Sequence, residues 1–171
     1  MAKEPFRLSL LKAITANLSE ISADDDYANT LAGKVFRGRD SFDPDADPLP
    51  LVAILEDGKA EILNQETRGG RTITRLGLII QGFAMDDPEN PTDPAHILLG
   101  DLQRKLAREK KRAGSAEMPG LPAANDYFGF QGKVTGIKIG AGVVAPPDGL
   151  ISTSAICLLP LELSIVEDFD A

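Results

Sequence analysis

The sequence has few aromatic residues and few of the side chains that most often carry chemistry. Its 171 residues include no Trp, two Tyr, seven Phe, one Cys and one His. Few aromatic faces are therefore available for stacking on bases or sugars. The lone histidine, His96, has no second nitrogen ligand and no Gly-x-Ser-x-Gly elbow beside it, which excludes a Ser-His-Asp triad and a multi-histidine zinc site. We predict His96 to be a surface residue near the start of a helix.

Cysteine and long apolar runs are also scarce. Cys157 has no partner for an intramolecular disulfide and lies in an apolar run, so we expect it to be buried and structural rather than nucleophilic. No stretch approaches the roughly 18 apolar residues of a membrane-spanning helix. The first residues, MAKEPFRLSLL, lack the apolar core of a secretory signal. We therefore expect a protein of a reducing cytoplasm without membrane association.

Positive charge is in deficit. The 26 acidic residues outnumber the 18 Lys and Arg residues and give a net charge of −8. The mean field therefore repels phosphate backbones and disfavours sequence-independent DNA binding by the whole surface. The length fits one domain, and a hydrophobic fraction of 43% is enough for a core. We predict a single α+β domain over residues 1–171.

Apolar periodicity predicts two amphipathic helices. After Pro5, apolar side chains recur at a 3.6-residue period and predict a helix over 5–22. A second apolar stripe predicts a helix over 94–113, with Asp93 as its cap and Gly114 as its stop.

Alternating or continuous apolar patterns predict the strands of one mixed, mainly antiparallel sheet, which the two helices cover. The strands are expected around 35–36 and over 51–55, 72–84, 134–139 and 155–166. Segment 72–84 is the best candidate for the sheet's centre. Pro160 lacks a ladder donor and predicts an edge position or a bulge in the last strand. The Gly- and Pro-rich stretch 114–149 is predicted to be an extended loop or arm.

One glycine-rich segment matches a cofactor motif. Residues 140–145, GAGVVA, have the Gly-x-Gly-x-x-Ala form of a dinucleotide fingerprint, with Glu162 about twenty positions further on. That site needs a helix whose N-terminus faces the pyrophosphate, and Pro146-Pro147 forbids one. We predict a loop between strands and no cofactor.

One acidic segment has the spacing of a metal loop. Asp43, Asp45 and Asp47 are spaced like the first ligands of a calcium loop, but Pro48 replaces the turn glycine and Ile54 replaces the bidentate Glu. We predict a solvated acidic loop, no metal site and no catalytic residue. Paired carboxylates remain an alternative, because such pairs are made by the fold.

Arginines are the candidate contact residues. Two pairs lie beside glycines at predicted strand ends, where guanidinium groups can bind carboxylates or phosphates at two points. Arg104 and Arg108 form a basic face on the second helix, together with Lys111 and Arg112. Ordinary solvated turns and a solvated helix face are the alternatives, and contact with acidic loops of identical neighbours is the functional interpretation. The candidate interface residues are Arg37, Arg39, Arg68, Arg71, Arg104 and Arg108.

Two segments resemble a known family. The phrase Pro48-Leu-Pro-Leu-Val-Ala-Ile-Leu55 follows a polar N-terminal helix, and in 76–106 an apolar strand precedes an acidic, Pro-rich loop and the helix AHILLGDLQRKL. This order resembles the tail terminator proteins of long-tailed bacteriophages. The similarity runs from Phe6 to Arg112 and more weakly from Ala155 to Val166.

The resemblance implies a subunit of a six-membered ring that caps the finished tail tube, ends its polymerisation and joins it to the head connector. Its partners would be further copies, the tail tube protein and the head-side connector, with DNA passing through the channel without specific binding. The implied location is the virion, after synthesis in the bacterial cytoplasm. The stretch 114–149 is longer than that family's compact core needs.

Three alternatives stay open. Another head-tail connector or tail-assembly protein would have the same architecture. A nucleic-acid-binding module would use the basic face of the second helix and show strong salt dependence. An enzyme would use carboxylates or a bound metal.

Overall fold

The computed structural model describes residues 4–39, 41–43, 46–58, 60–65, 70–114, 126–148 and 154–168. Two α-helices and seven strands lie within these ranges, and they confirm the predicted α+β class with a mixed, mostly antiparallel sheet. The helices are α1 (Phe6–Ser19) and α2 (Asp93–Gly114). The strands are β1 (Val35–Arg37), β2 (Leu51–Glu56), β3 (Glu61–Gln65), β4 (Arg71–Phe83), β5 (Val134–Ile139), β6 (Val143–Ala145) and β7 (Ile156–Asp168).

The sheet has the order β1-β2-β4-β7-β5, with β4 in the middle, as the sequence predicts for 72–84. β1 pairs with β2 in parallel, and the other pairs are antiparallel. β2 and β3 lie end to end along the same side of β4. The pairing with β2 begins at Leu51↔Phe83, and the pairing with β3 begins at Glu61↔Arg75. β6 and β5 share the outer side of β7 in the same way.

Both helices cover one face of this sheet. Along β4, side chains alternate between buried and half-buried, as a strand with only one fully covered face requires. Cross-strand partners Leu78 and Leu161 are each 1% exposed and face the helices. The core on this face also contains Leu10, Ile14 and Leu18 of α1 and Leu98, Leu102 and Leu106 of α2, all 0% exposed.

The helix ends differ slightly from the prediction. α1 ends at Ser19 instead of Ser22, and the Ser22 hydroxyl instead accepts from the Asp24 amide to cap a short 3-10 helix, Ala23–Asp25. α2 already includes Asp93, so this residue is in the first turn rather than at the cap. Gly114 is the last residue of α2, so the helix runs one residue further than predicted.

The prediction that Pro160 marks an edge or a bulge is wrong. β7 lies between β4 and β5, and its register with β4 is continuous through Ile79↔Pro160. The Pro160 carbonyl accepts from the Gly140 amide at 2.8 Å. Because the N–H and C=O of one strand residue point to the same side, the position of the missing N–H faces the gap between β5 and β6. A proline is tolerated there because no ladder donor is required.

Part of the stretch 114–149, predicted as an extended loop or arm, forms regular structure. Residues 115–125 lie outside the described residues, but 126–148 contain a short 3-10 helix, Tyr127–Gly129, followed by β5 and β6. Gly142 lies so close to α2 that an added Cβ would be 2.5 Å from the Leu99 side chain. The glycine-rich motif therefore leads into strand β6, and its Gly142 has a packing role.

Candidate assembly surfaces

The outer side of α2 uses its arginines within the chain. Arg104 donates to the Asp26 carbonyl at 2.5 Å. The guanidinium carbons of Arg104 and Arg108 lie 5.8 and 4.9 Å from the centre of the Tyr27 ring. Both arginines thus hold the loop after α1 by cation-π contact, which leaves less of the predicted basic face for a phosphate backbone.

A buried carboxylate fixes the same loop from below. Asp101, 3% exposed, accepts from the amide nitrogens of Ala28 and Asn29 and from the Asn29 side chain. The closest of these contacts to the Asp101 carboxylate is 2.8 Å. A buried carboxylate is tolerated when its oxygens are saturated by donors, so Asp101 is a structural clamp between α2 and the loop.

Glu109 performs the equivalent role at the other end of α2. It is 6% exposed, is bound at two points by Arg112 and accepts from the Phe128 amide at 2.7 Å. Burial acts to raise the pKa of Glu109, but the bonds from Arg112 and the Phe128 amide outweigh it and hold the pKa below its usual value. The 3-10 helix after the undescribed segment is therefore tied to α2.

A shallow groove of about 550 Å³ separates α1 from α2. It is lined by Asn17 and Glu20 on one side and by Lys105, Arg108 and Arg112 on the other. Lys105 already binds Glu20 at 2.7 Å, and Arg112 binds Glu109. Most of the groove's charge is thus neutralised within the chain.

Arg39 folds the acidic loop onto the sheet. It binds Asp47 at two points and its guanidinium carbon lies 5.0 Å from the centre of the Phe36 ring. The pKa of Asp47 is lowered, mainly by Arg39 and also by the amide of Asp43. Phe42 of this loop packs on Phe83 of β4 with ring centres 4.5 Å apart.

This loop therefore covers one end of the sheet. Of the three spaced aspartates, Asp45 lies outside the described residues and Asp47 is bound to Arg39. Within the ranges the structure describes, no group of three or more His, Cys, Asp or Glu side chains converges for a metal.

The other predicted residues are placed as follows. Arg37 is exposed and donates to the Thr15 hydroxyl at 2.9 Å, and Arg71 is exposed at the start of β4. Arg68 lies outside the described residues. His96 is exposed in the first turn of α2, as predicted. Cys157 is 0% exposed, which confirms its predicted burial, and burial raises the pKa of its thiol to about 11.

The face of the sheet opposite the helices carries a band of aliphatic side chains. Leu55, Ile79 and Pro160 are aligned across β2, β4 and β7, and neither leucine nor isoleucine is fully buried. The next row ends at Val143 of β6, which is 58% exposed. The loop carrying Phe42 covers this face at its β2 end, and the Asp57 carboxylate lies over Gly77 of β4. We call this side of the sheet, opposite the helices, the open face.

A row of alternating charge crosses the open face beside the aliphatic band. Arg75 of β4 binds Glu61 of β3 at 2.7 Å and lies 3.4 Å from Glu162 of β7. Lys138 of β5 is the register partner of Glu162 and is exposed. The row thus reads acid, base, acid, base from one side of the sheet to the other.

The two ends of this row are at the two edges of the sheet. In the described part of the chain, β3 pairs only with β4, and β5 pairs only with β7. Ile62 and Leu63 of β3 are 61% and 43% exposed. Unpaired edges with exposed apolar residues are templates for pairing with another chain.

The sequence interpretation missed β3 and this charge row. The segment EILNQ is short and polar, and it follows β2 after a turn, so it gives no independent strand signal. Glu61 and Lys138 are 77 residues apart, and only strand register relates them. The one available signal was the adjacent pair Ile62 and Leu63, two apolar residues between polar ones.

No protein-family model matches this chain, and a search of curated proteins finds no match. Among the residues described, no helix combines the length and apolarity that crossing a bilayer would need.

Proposed function

We propose that this chain is a ring-forming subunit of a bacteriophage tail or neck, which caps the tail tube, ends its polymerisation and joins it to the head connector. The observation that carries the proposal is the open face, where an aliphatic band is exposed beside a row of charges. A contiguous exposed apolar surface with a charged rim is typical of a protein-protein contact.

The distribution of charge supports the same proposal. The clusters at Asp101, Glu109 and Asp47 bind donors of their own chain and so stabilise the fold. A net charge of −8 repels phosphate backbones, which suits a subunit that surrounds DNA without holding it. The family resemblance of the two sequence segments points to the same role.

The first test is assembly of the wild-type protein. Size exclusion with light scattering, together with negative-stain imaging, is expected to show closed rings at high concentration or on tail tubes built from the same phage's tube protein. A protein that stays monomeric at every concentration and never joins the tubes would contradict the proposal.

A matched pair of variants tests the role of the open face. Val143→Asp places a charge on the open face, and Ile97→Asp places one on the outer side of α2, where Ile97 is 50% exposed. We expect Val143→Asp to reduce assembly, in rings or on tail tubes, and Ile97→Asp to leave assembly near the wild-type level. The reverse result would place the contact on the helical side instead.

Binding to nucleic acid is separated by a salt titration. A subunit that only surrounds DNA is expected to show weak binding at low salt, because Arg104 and Arg108 are engaged with Asp26 and Tyr27. A module that binds through this face would show affinity falling steeply with salt.

A further inference from the structure

We infer that neighbouring copies join by strand pairing, with the outer edge of β3 in one copy bound to the outer edge of β5 in the next. This inference rests on the proposed ring. It assigns the contact between neighbouring copies to the β3 and β5 edges of the sheet. The two edges are at opposite sides of one sheet, so each copy offers both halves of the contact.

Strand direction fits this pairing. β3 and β7 both run antiparallel to β4, and β5 runs antiparallel to β7, so β3 and β5 have opposite directions. If the sheets of two copies continue with their helices on the same side, β3 meets the next β5 as an antiparallel partner. The strands have similar lengths, five and six residues.

Charge fits it as well. The row across the open face begins with Glu61 at the β3 edge and ends with Lys138 at the β5 edge. Joining the two edges brings these opposite charges to the same junction and continues the alternation from one copy to the next. Opposite charges that face each other across neighbouring strands stabilise the pair, and like charges destabilise it.

The exposed apolar residues of β3 gain cover in the same contact. Ile62 is the register partner of Thr74, which is buried on the helix-covered side, yet Ile62 itself is 61% exposed. With the neighbour's helices on that same side, Ile62 would lie next to them. A contact between two different edges is heterologous, and such contacts close into a ring when the rotation between copies allows it.

Charge reversal is the first test. Glu61→Lys and Lys138→Glu, each alone, place like charges at the junction, and we expect each to raise the concentration needed for assembly by about tenfold or more. The double variant Glu61→Lys/Lys138→Glu restores opposite charges and is expected to recover most of the assembly. Recovery also excludes loss of the Glu61–Arg75 bond as the cause, because Lys138→Glu does not restore that bond.

The controls are Glu89→Lys and Lys12→Glu, which make the same changes of charge at exposed positions away from both edges. They are expected to assemble like the wild type. Circular dichroism and thermal unfolding establish that each variant is folded before its assembly is measured.

Cross-linking is the second test and does not depend on the strength of the charge effect. The variant Glu61→Cys/Lys138→Cys, treated with a short bis-maleimide, is expected to form a covalent ladder of multimers. Each single-cysteine variant places only one thiol at each junction and is expected to stay monomeric. The native Cys157 is buried, so it does not contribute.

The outcomes separate this inference from the proposed function. If the wild type forms rings but charge reversal has no effect and the cysteine pair yields no ladder, the edge pairing is wrong and the ring stands. If the wild type forms no ring and the cysteine pair still yields a ladder, the pairing stands and the ring is wrong. Monomers in every assay overturn both.

Discussion

The two faces of the sheet differ in what covers them, although the same strands build both. On the helix face, Leu78 and Leu161 are 1% exposed and pack beneath α1 and α2. On the open face, the adjacent Ile79 is only half-buried and lies beside the exposed Pro160. Burial on the helix face therefore stabilises the monomer, whereas the open face has apolar surface left for another molecule.

The largest expected difference is between neighbouring core and open-face residues. Leu78→Ala leaves a cavity beneath the helices and should lower the free energy of unfolding by about 2 to 5 kcal/mol. Ile79→Ala removes a side chain that is already partly in solvent, and should cost less than about 1.5 kcal/mol in the isolated monomer. Denaturant unfolding of the two variants measures this, and equal losses would contradict the difference between the faces.

A close approach between sheet and helix gives the next effect. A Cβ on Gly82 would lie 2.6 Å from the Cys157 sulfur and 2.7 Å from a Leu98 methyl group, so Gly82→Ala should cost about 1 to 3 kcal/mol. The control is Gly100→Ala in α2, where a Cβ meets nothing within 4 Å. We expect it to stabilise the protein by up to about 1 kcal/mol, because alanine favours the helix. Thermal unfolding that ranks the two in the opposite order would contradict the packing of α2 on the sheet.

Loss of the Asp101 clamp should act locally. Asp101→Ala leaves the amides of Ala28 and Asn29 without their acceptor, at a cost of about 1 to 3 kcal/mol. Hydrogen exchange should accelerate at these two amides more than in β4. Uniform acceleration over the whole chain would instead indicate global destabilisation.

The smallest effect concerns the pair of Arg7 and Glu167, which joins α1 to the end of β7 with contacts of 2.7 and 2.8 Å. Arg7 holds the pKa of Glu167 below its usual value. A lowered folded-state pKa contributes stability above the unfolded pKa, about 4.3, and this contribution is lost as the pH falls through the folded pKa.

Glu167→Gln should therefore destabilise the protein at pH 7 by about 1 kcal/mol, discounted because Arg7 is partly exposed. The difference from the wild type should shrink below about pH 4. Thermal unfolding between pH 3 and pH 7 measures this, with Glu89→Gln on an exposed loop as the control. A difference that does not change with pH would mean that the ion pair is not its cause.

Much of the fold follows from local pattern. The apolar period of α2 and the alternation of β4 predict both elements closely, because helix and strand periods are visible within a few residues. Pro160 misled the prediction, since its effect depends on which neighbour its missing N–H faces. Within the stretch 114–149, β5 forms where a strand was predicted at 134–139, but β6 was missed, because glycine and proline indicate turns and β6 forms by pairing with β7.

The candidate surface was less accessible to sequence reasoning. Several predicted arginines are used within the chain, Arg39 by Asp47 and Arg104 by Asp26. An arginine beside a turn looks the same in sequence whether its partner belongs to its own chain or to another. The charge row of Glu61, Arg75, Glu162 and Lys138 brings together four strands from distant parts of the chain.

By itself, the sequence determined the α+β class, the two helices, the central strand and the burial of Cys157, because these depend on the spacing of apolar residues along the chain. The tertiary structure alone decided which face of the sheet stays open and which charges end at its edges. Both depend on strand order and register, and these pair residues that have no proximity in sequence.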